Sequence, residues 1–243
     1  MAEAGGVAGR LRAGGRRRRR SRFLRAFRVV LLPLVLLLLV PYVLVPVYAY
    51  LDPPFSAVML ANRFAGASVE KEWVPLRAVS PHLVRAVLVS EDARFCSHGG
   101  IDWAELENAL DDEDGRMRGA STITMQTAKN LFLWTGRSWV RKVLEAPLAL
   151  YFEVILSKRR IMEIYLNVVE WGPGVYGAEA AARHYFGVRA AALSPTQAAL
   201  LAAILPAPAL RDAADPGPGT RRIASRIAAR AEKSGAYAGC VLE

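Results

Sequence analysis

A short segment, residues 90–102, carries side chains that can perform acid–base chemistry. Glu91 and Asp92 form an adjacent carboxylate pair, and Phe95 and His98 follow within seven residues. A carboxylate, an imidazole and an aromatic ring so close together are more typical of a site than of a core. A solvated helix end followed by a Gly-Gly turn is the alternative interpretation.

The element that must position this segment is a helix. Ser80 and Pro81 are typical of an N-cap and a first helical residue, and the apolar residues after them predict a helix that ends near Glu91. At a helix C-terminus the dipole disfavours negative charge. We therefore expect a raised pKa for Glu91, in the direction that a general base working near neutral pH requires.

A second segment, residues 119–130, is rich in groups that hydrogen-bond polar ligands. It begins at Gly119 and offers the hydroxyls of Ser121 and Thr122, the amide of Gln126 and the ammonium group of Lys129. Such a set of donors and acceptors suits a sugar. An ordinary capped helix start is the alternative.

A third cluster is cationic. Arg137, Arg141 and Lys142 surround Glu145 within nine residues, and Arg141 and Glu145 are one helical turn apart. Together with Lys129 they predict a clamp for a phosphate or diphosphate. A surface ion-pair network is the competing interpretation.

The segments resemble the motifs of the membrane-bound peptidoglycan glycosyltransferases of family 51, and most closely those of its monofunctional branch. The first motif, Glu-Asp-x-x-Phe-x-x-His-x-Gly, corresponds to Glu91, Asp92, Phe95, His98 and Gly100. The second, Gly-x-Ser-Thr-Ile-Thr-Gln-Gln, corresponds to Gly119, Ser121, Thr122, Ile123, Thr124 and Gln126, with Met125 replacing the first glutamine. The third corresponds to Arg141, Lys142 and Glu145, and the fourth to Lys158, Ile161, Glu163, Tyr165, Leu166 and Asn167.

This resemblance implies a lysozyme-like, mainly α domain that polymerises lipid II into β-1,4 glycan strands with inversion, releasing undecaprenyl diphosphate. Glu91 is then the general base, and Glu145 orients the cations or serves as a second acid–base group. Lys129, Arg137 and Arg141 hold the diphosphate. The remaining substrate-binding residues implied are Asp92, Phe95, His98, Gly119, Ser121, Thr122, Gln126 and Lys142. No cofactor is required, although a divalent cation (Mg or Mn) is compatible with the diphosphate.

Two other functions compete with this one. A lysozyme-like hydrolase could use two glutamates to cut glycan, but it leaves the cations unexplained. A non-catalytic cell-wall binding protein would need the sugar groove without a base. Transpeptidase activity is not expected, because Ser68-x-x-Lys71 precedes the other motifs and no Lys-Thr-Gly element occurs.

Charge and hydropathy predict how the chain is organised. The net charge is +10, but residues 1–28 hold ten arginines and one acidic residue, so this tail carries +9 and the rest only +1. A nucleic-acid surface is therefore not expected. The 23 residues 29–51 carry no charge and suffice for a helix of roughly 34 Å, enough to span a bilayer.

The arginine tail orients that span by the positive-inside rule. We expect residues 1–28 to be cytoplasmic, residues 29–51 to cross the plasma (cell inner) membrane once, and residues 52–243 to form the extracytoplasmic catalytic domain. The expected partners are lipid II, the growing glycan strand and membrane lipid, together with proteins of cell-wall synthesis or division.

The rest of the chain predicts helices. Ser194 and Gln197 form a capping box, and Ser138 can cap a helix that is interrupted or kinked near Pro147. Another helix covers residues 160–168. The acidic run 111–115 is better interpreted as a solvated loop than as a metal site.

The cysteines and histidines suggest no metal. Cys96 and Cys240 could pair in an exported domain, but nothing in their spacing requires it. Three histidines without ligand spacing predict no zinc site.

Overall fold

The computed structural model describes residues 27–29, 31–111, 121–136 and 138–243. Residues 1–26 of the basic tail, residues 112–115 of the acidic run, Gly119 and Arg137 lie outside the described residues. The chain divides into two units, Met1–Leu44 and Val45–Glu243.

Helices make up most of the described chain, which confirms the prediction of a mainly α protein. In chain order they are α1 (Phe27–Tyr48), α2 (Ala57–Phe64), α3 (Pro81–Glu91), α4 (Trp103–Asp111), α5 (Ile123–Phe132), α6 (Trp139–Ile155), α7 (Lys158–Val168), α8 (Ala178–Phe186), α9 (Pro195–Ile204), α10 (Pro218–Glu232) and α11 (Gly239–Leu242). Single 3₁₀ turns occur at Leu76–Ala78, Phe95–Ser97, Ala190–Ala192 and Gly235–Tyr237.

Helix α1 has 22 residues and is apolar and long enough to cross a membrane. It begins two residues before the predicted span and ends three residues before that span's end. The last residues of α1 belong to the second unit: Val45 is fully buried, and the ring of Tyr48 stacks on Phe132 with centroids 6.2 Å apart. Arg160 Nε also donates to the Tyr48 carbonyl at 2.8 Å. The folded unit therefore begins before residue 52.

A small sheet, absent from the sequence prediction, lies among the helices. Strand β3 (Val175–Tyr176) pairs in parallel with β1 (Glu70–Lys71) and antiparallel with β2 (Glu170–Gly172). Gly174 turns the β2–β3 hairpin with φ +77, and a Cβ there would lie 2.5 Å from the Ser68 carbonyl oxygen. Strands of two or three residues are too short to show an alternating pattern.

Helix α3 carries the first motif and starts as predicted. The Ser80 hydroxyl accepts from the His82 N–H at 3.3 Å, and Pro81 occupies the first turn. Its apolar face is buried against α9 and α10. Helix α9 starts with the predicted capping box of Ser194 and Gln197. These contacts hold the end of α3, and with it Glu91, in a fixed position.

Helices α5, α6 and α7 pack together and carry the other motifs. The Thr122 hydroxyl caps α5 by accepting from the Met125 N–H at 3.1 Å. Ser138 is the N-cap of α6, but its side chain makes no capping hydrogen bond. The helix continues through Pro147. Helix α7 begins two residues earlier than predicted, because Ser157 caps it by accepting from the Arg160 N–H at 3.2 Å.

Cys96 and Cys240 form a disulfide across 144 residues. It joins α11 to the Phe95–Ser97 turn of the first motif. Arg159 Nη1 on α7 donates to the Val241 carbonyl at 2.8 Å and so attaches α11 to α7 as well. The C-terminal helix is thus fixed to the loop that follows Glu91.

We expect Cys96→Ser to lower the free energy of unfolding by roughly 2–5 kcal/mol, because the disulfide restricts a long loop in the unfolded chain. Denaturant titration of the wild type with and without reductant measures the same loss. Reductant should leave the Cys96→Ser variant unchanged. A variant as stable as the oxidised wild type would contradict this expectation.

Candidate active site

Glu91 is the last residue of α3, as predicted, and its carboxylate is held at one oxygen. Oε2 accepts from Gln126 Nε2 at 3.0 Å, whereas Oε1 has no hydrogen bond to any residue that the structure describes. The pKa of Glu91 is raised, as expected, but burial is the main cause, with a smaller contribution from Asp92. The Gln126 hydrogen bond and the charge of Lys129 act in the opposite direction. One oxygen is therefore free to accept a proton.

Asp92 and His98 hold the loop after Glu91 in place. The buried Asp92 carboxylate contacts His98 Nε2 at 2.9 and 3.0 Å and accepts from the Ile123 N–H at 2.9 Å. His98 Nδ1 accepts from the Gly100 N–H at 3.2 Å, which assigns the proton to Nε2. These residues therefore connect the first motif to the start of α5.

The Phe95 side chain supports the same loop from the protein interior. Its ring is fully buried, and Lys158 Nζ lies 4.3 Å from the ring centroid. Lys158 also donates to the His98 carbonyl at 2.7 Å and pairs with Glu153 at 2.8 Å. Lys158 of the fourth motif is thus a structural partner of the first.

Thr122 joins the first and second motifs. Its hydroxyl donates to the Gly100 carbonyl at 2.6 Å. Gly100 has φ +96, and a Cβ there would lie 2.8 Å from the Ala149 carbonyl oxygen on α6. Any larger residue at this position would separate the loop from α6.

The cations of the third motif form one cluster with Glu145, which is only 1% exposed. Arg141 pairs with Glu145 and donates from Nε to the Gly136 carbonyl at 2.9 Å. Lys142 Nζ lies 3.2 Å from Glu145 Oε2 and contacts Ser121 Oγ. Glu145 therefore orients two cations from one side.

Lys129 differs from its cationic neighbours. Burial and the nearby Arg141 lower the pKa of Lys129, while Glu91 raises it. Its Nζ has no hydrogen bond or ion pair with any described residue. The pKa of Lys142 is lowered too, first by burial and then by Arg141 and Lys129. Mutual repulsion of this kind marks a region prepared for an anion.

A cleft of about 220 Å³ opens beside Glu91. Its lining residues are Val89, Ser90, Glu91, Asp92, Ala93, Arg94, Asp102, Glu105, Ser121, Thr122 and Arg230. Sequence reasoning missed Arg94, Asp102, Glu105 and Arg230. Arg230 lies 139 residues after Glu91, and no local pattern connects the two.

The structure thus sorts the predicted site residues into two groups. Glu91, Gln126 and Lys129 come together, with Ser121, Arg141, Lys142 and Glu145 adjoining them through the contacts above. The side chains of Asp92, Phe95, His98 and Thr122 are engaged with protein groups that hold these elements in place. Among the described residues, no group of three or more His, Cys, Asp or Glu side chains could hold a metal ion.

Comparison with known proteins identifies the family of the chain. The model of the Transglycosylase family matches residues 58–232. A relative from Agrobacterium fabrum, named biosynthetic peptidoglycan transglycosylase, is 53% identical over 219 residues, covering 88% of this chain and 96% of the relative. Proteins of the same name from Brucella suis and Rhizobium meliloti are 53% and 51% identical, covering 88% and 94% of this chain and 96% of each relative.

These matches extend over far more than half of the chain, and residues 58–232 span the positions of all four segments described above. The chain belongs to the transglycosylase family.

Proposed function

We propose that the protein polymerises lipid II into glycan strands by an inverting glycosyl transfer. Two neighbouring groups carry this proposal: Glu91, and the partly buried Lys129. Among the described residues, one oxygen of Glu91 and the Nζ atom of Lys129 have no hydrogen-bond partner. A base beside a cation suits a reaction in which a hydroxyl loses a proton while a diphosphate departs.

Glu91 Oε1 accepts the proton of the acceptor's 4-hydroxyl as that oxygen attacks C1 of the donor sugar. The new C1–O bond forms as the bond from C1 to the diphosphate oxygen breaks, and the electron pair leaves with the diphosphate. The raised pKa of Glu91 makes it a stronger base than an ordinary carboxylate once it is ionised.

Lys129 and the partly exposed Lys142 stabilise the negative charge that develops on the leaving diphosphate. Arg141 adds positive potential, although its guanidinium is already engaged with Glu145 and Gly136. Glu145 is assigned the orienting role, because it is buried and paired with both neighbouring cations. We propose that this transfer proceeds without a cofactor.

The hydrolase alternative requires a second carboxylate as partner to Glu91. The cleft contains Asp102 and Glu105, but Asp102 is paired with Arg94 at 3.4 Å and accepts from the Glu105 N–H at 3.2 Å. Glu105 is exposed on the first turn of α4. Neither acid explains why the cations gather around Glu145, whereas a diphosphate leaving group does.

Incubating the purified full chain with lipid II, and separately with preformed uncrosslinked glycan, tests this proposal. A transferase polymerises lipid II and leaves the glycan intact. Cleavage of the glycan would establish a hydrolase. Binding to either substrate without conversion would establish a non-catalytic protein.

We also propose a membrane-anchored organisation, with residues 1–28 in the cytoplasm and the catalytic domain on the outer face of the plasma membrane. The apolar length of α1 and the arginine-rich tail support it. Helix α6 adds an exposed apolar face, since Trp139, Val143, Leu150 and Val154 recur at helical spacing. We propose that this face contacts lipid, as an enzyme whose substrate has a polyprenyl tail requires.

Deleting residues 1–44 should preserve the fold, because Val45 and Tyr48 remain to pack in the second unit. Turnover in liposomes should fall on the order of tenfold more than turnover in detergent micelles. The reason is that the anchor concentrates enzyme and substrate on one surface only when both share a bilayer. Equal losses in the two settings would mean that α1 supports the catalytic fold directly.

A further inference from the structure

We propose that Tyr165 is a positioning residue for this reaction: its hydroxyl fixes the Gln126 amide, which in turn fixes the carboxylate of Glu91. The inference rests on the proposed function and adds a residue that the resemblance did not include among the functional ones. It also gives Gln126 a role other than substrate binding.

The three residues come from three helices. Tyr165 on α7 is fully buried, and its hydroxyl lies 3.2 Å from Oε1 of Gln126 on α5. Gln126 Nε2 lies 3.0 Å from Glu91 Oε2 at the end of α3. A continuous hydrogen-bonded chain therefore runs from the core to the proposed base.

The donor and acceptor of each of these hydrogen bonds follow from the chemistry of the three side chains. An ionised carboxylate only accepts hydrogen bonds, so Gln126 must present its NH₂ group to Glu91 and its carbonyl to Tyr165. The Tyr165 hydroxyl must then donate. Burial, with Glu91 and Asp92 adding to it, raises the pKa of Tyr165 well above its ordinary value, so this donor keeps its proton at any working pH.

Both polar ends of the Gln126 side chain are therefore occupied by protein. By holding Oε2, Gln126 leaves Oε1 as the oxygen available to the acceptor hydroxyl. Removing the Tyr165 hydroxyl would leave the amide oxygen without its donor, which favours rotation of the amide and loss of the contact with Glu91. The base would then be present but poorly oriented.

The hydrogen bonds from Tyr165 through Gln126 also affect the protonation of Glu91. The Gln126 hydrogen bond lowers the pKa of Glu91 against the effect of burial. Losing it should raise that pKa further. Since the base must be deprotonated to act, the acid limb of the kcat/KM profile should move to higher pH.

Tyr165→Phe tests the proposal, with Tyr176→Phe as the matched control. Tyr176 is also a fully buried tyrosine, but its hydroxyl is paired with Asn62 at 2.5 Å. In Tyr165→Phe we expect kcat on lipid II to fall roughly five- to tenfold, as the loss of one buried hydrogen bond implies, with KM little changed and the acid limb at higher pH. Tyr176→Phe should leave the acid limb in place.

A double-mutant cycle with Gln126→Met separates positioning from general packing. Gln126→Met should move the acid limb to higher pH by itself, and adding Tyr165→Phe should then cause no further loss. An unmoved acid limb in Gln126→Met overturns the proposal, however the Tyr165 variants fold. So does an equal loss from Tyr165→Phe in both backgrounds.

The wild-type measurement distinguishes this proposal from the proposed function. A wild type that does not turn over lipid II removes both. A wild type that polymerises lipid II, with Tyr165→Phe matching Tyr176→Phe in kcat and acid limb, overturns the positioning role alone.

Discussion

Glu91→Gln should remain folded and membrane-bound but lose polymerising activity by about a hundredfold to ten-thousandfold, the usual contribution of a general base. The amide keeps the shape of the side chain but cannot accept the acceptor's proton. The thermal midpoint should not fall, because burial in this site penalises the charged form of Glu91 that the substitution removes. A lipid II gel assay and a thermal melt measure the two effects.

Glu105→Gln is the matched control for this variant. Glu105 lines the same cleft, but it is exposed and has no hydrogen bond or ion pair with Gln126, Lys129, Arg141 or Lys142. Its activity should stay within a few-fold of the wild type. If Glu91→Gln were equally active, Glu91 could not be the base.

Lys129→Ala should reduce kcat by on the order of 10²–10³, the cost of losing one donor that stabilises developing charge. Because burial and Arg141 lower the pKa of Lys129, its charge is unfavourable in the free protein, and its removal should not destabilise the fold. Single-turnover rates on lipid II and thermal melts measure these two quantities.

Lys233→Ala is the control for the loss of one positive charge, because Lys233 is exposed at the end of α10. It should leave kcat unchanged. If Lys129→Ala lowered the thermal midpoint and spared turnover, the cations would be a structural ion-pair network, and the diphosphate site would have to be sought elsewhere.

Much of this architecture could be predicted from local chemistry. The starts of α3 and α9 depend on short-range capping by Ser80 and Ser194, and the structure confirms both. Ser138 has the same residue type in the N-cap position, yet its side chain makes no capping bond. The residue types at a helix start therefore predicted where the helix begins. They were less successful in predicting which groups accept hydrogen bonds from its first backbone N–H groups.

The site could be predicted only in part, because its parts meet through tertiary contacts. The motifs predicted that Glu91 and Lys129 belong to one site. They could not show that Gln126 links Glu91 to Tyr165. Tyr165 lies 39 residues after Gln126, and the contact between them depends on how α5 packs against α7. The pairing of Cys96 with Cys240 likewise depends on where α11 packs.

A raised pKa of Glu91 was expected from the position of this residue at a helix end, but in the structure burial is the main cause of the shift. A helix end is visible in the sequence, whereas burial depends on neighbours from other elements. Sequence reasoning therefore obtained the right direction from a local effect while the larger effect was not accessible to it.

The most direct test of the central claim is the amount of undecaprenyl diphosphate that the purified full chain releases for each glycosidic bond it forms from lipid II. We expect one molecule released per bond in the wild type and almost none in Glu91→Gln under the same conditions. Bond formation that continued undiminished in Glu91→Gln, or diphosphate release without bond formation in the wild type, would contradict it.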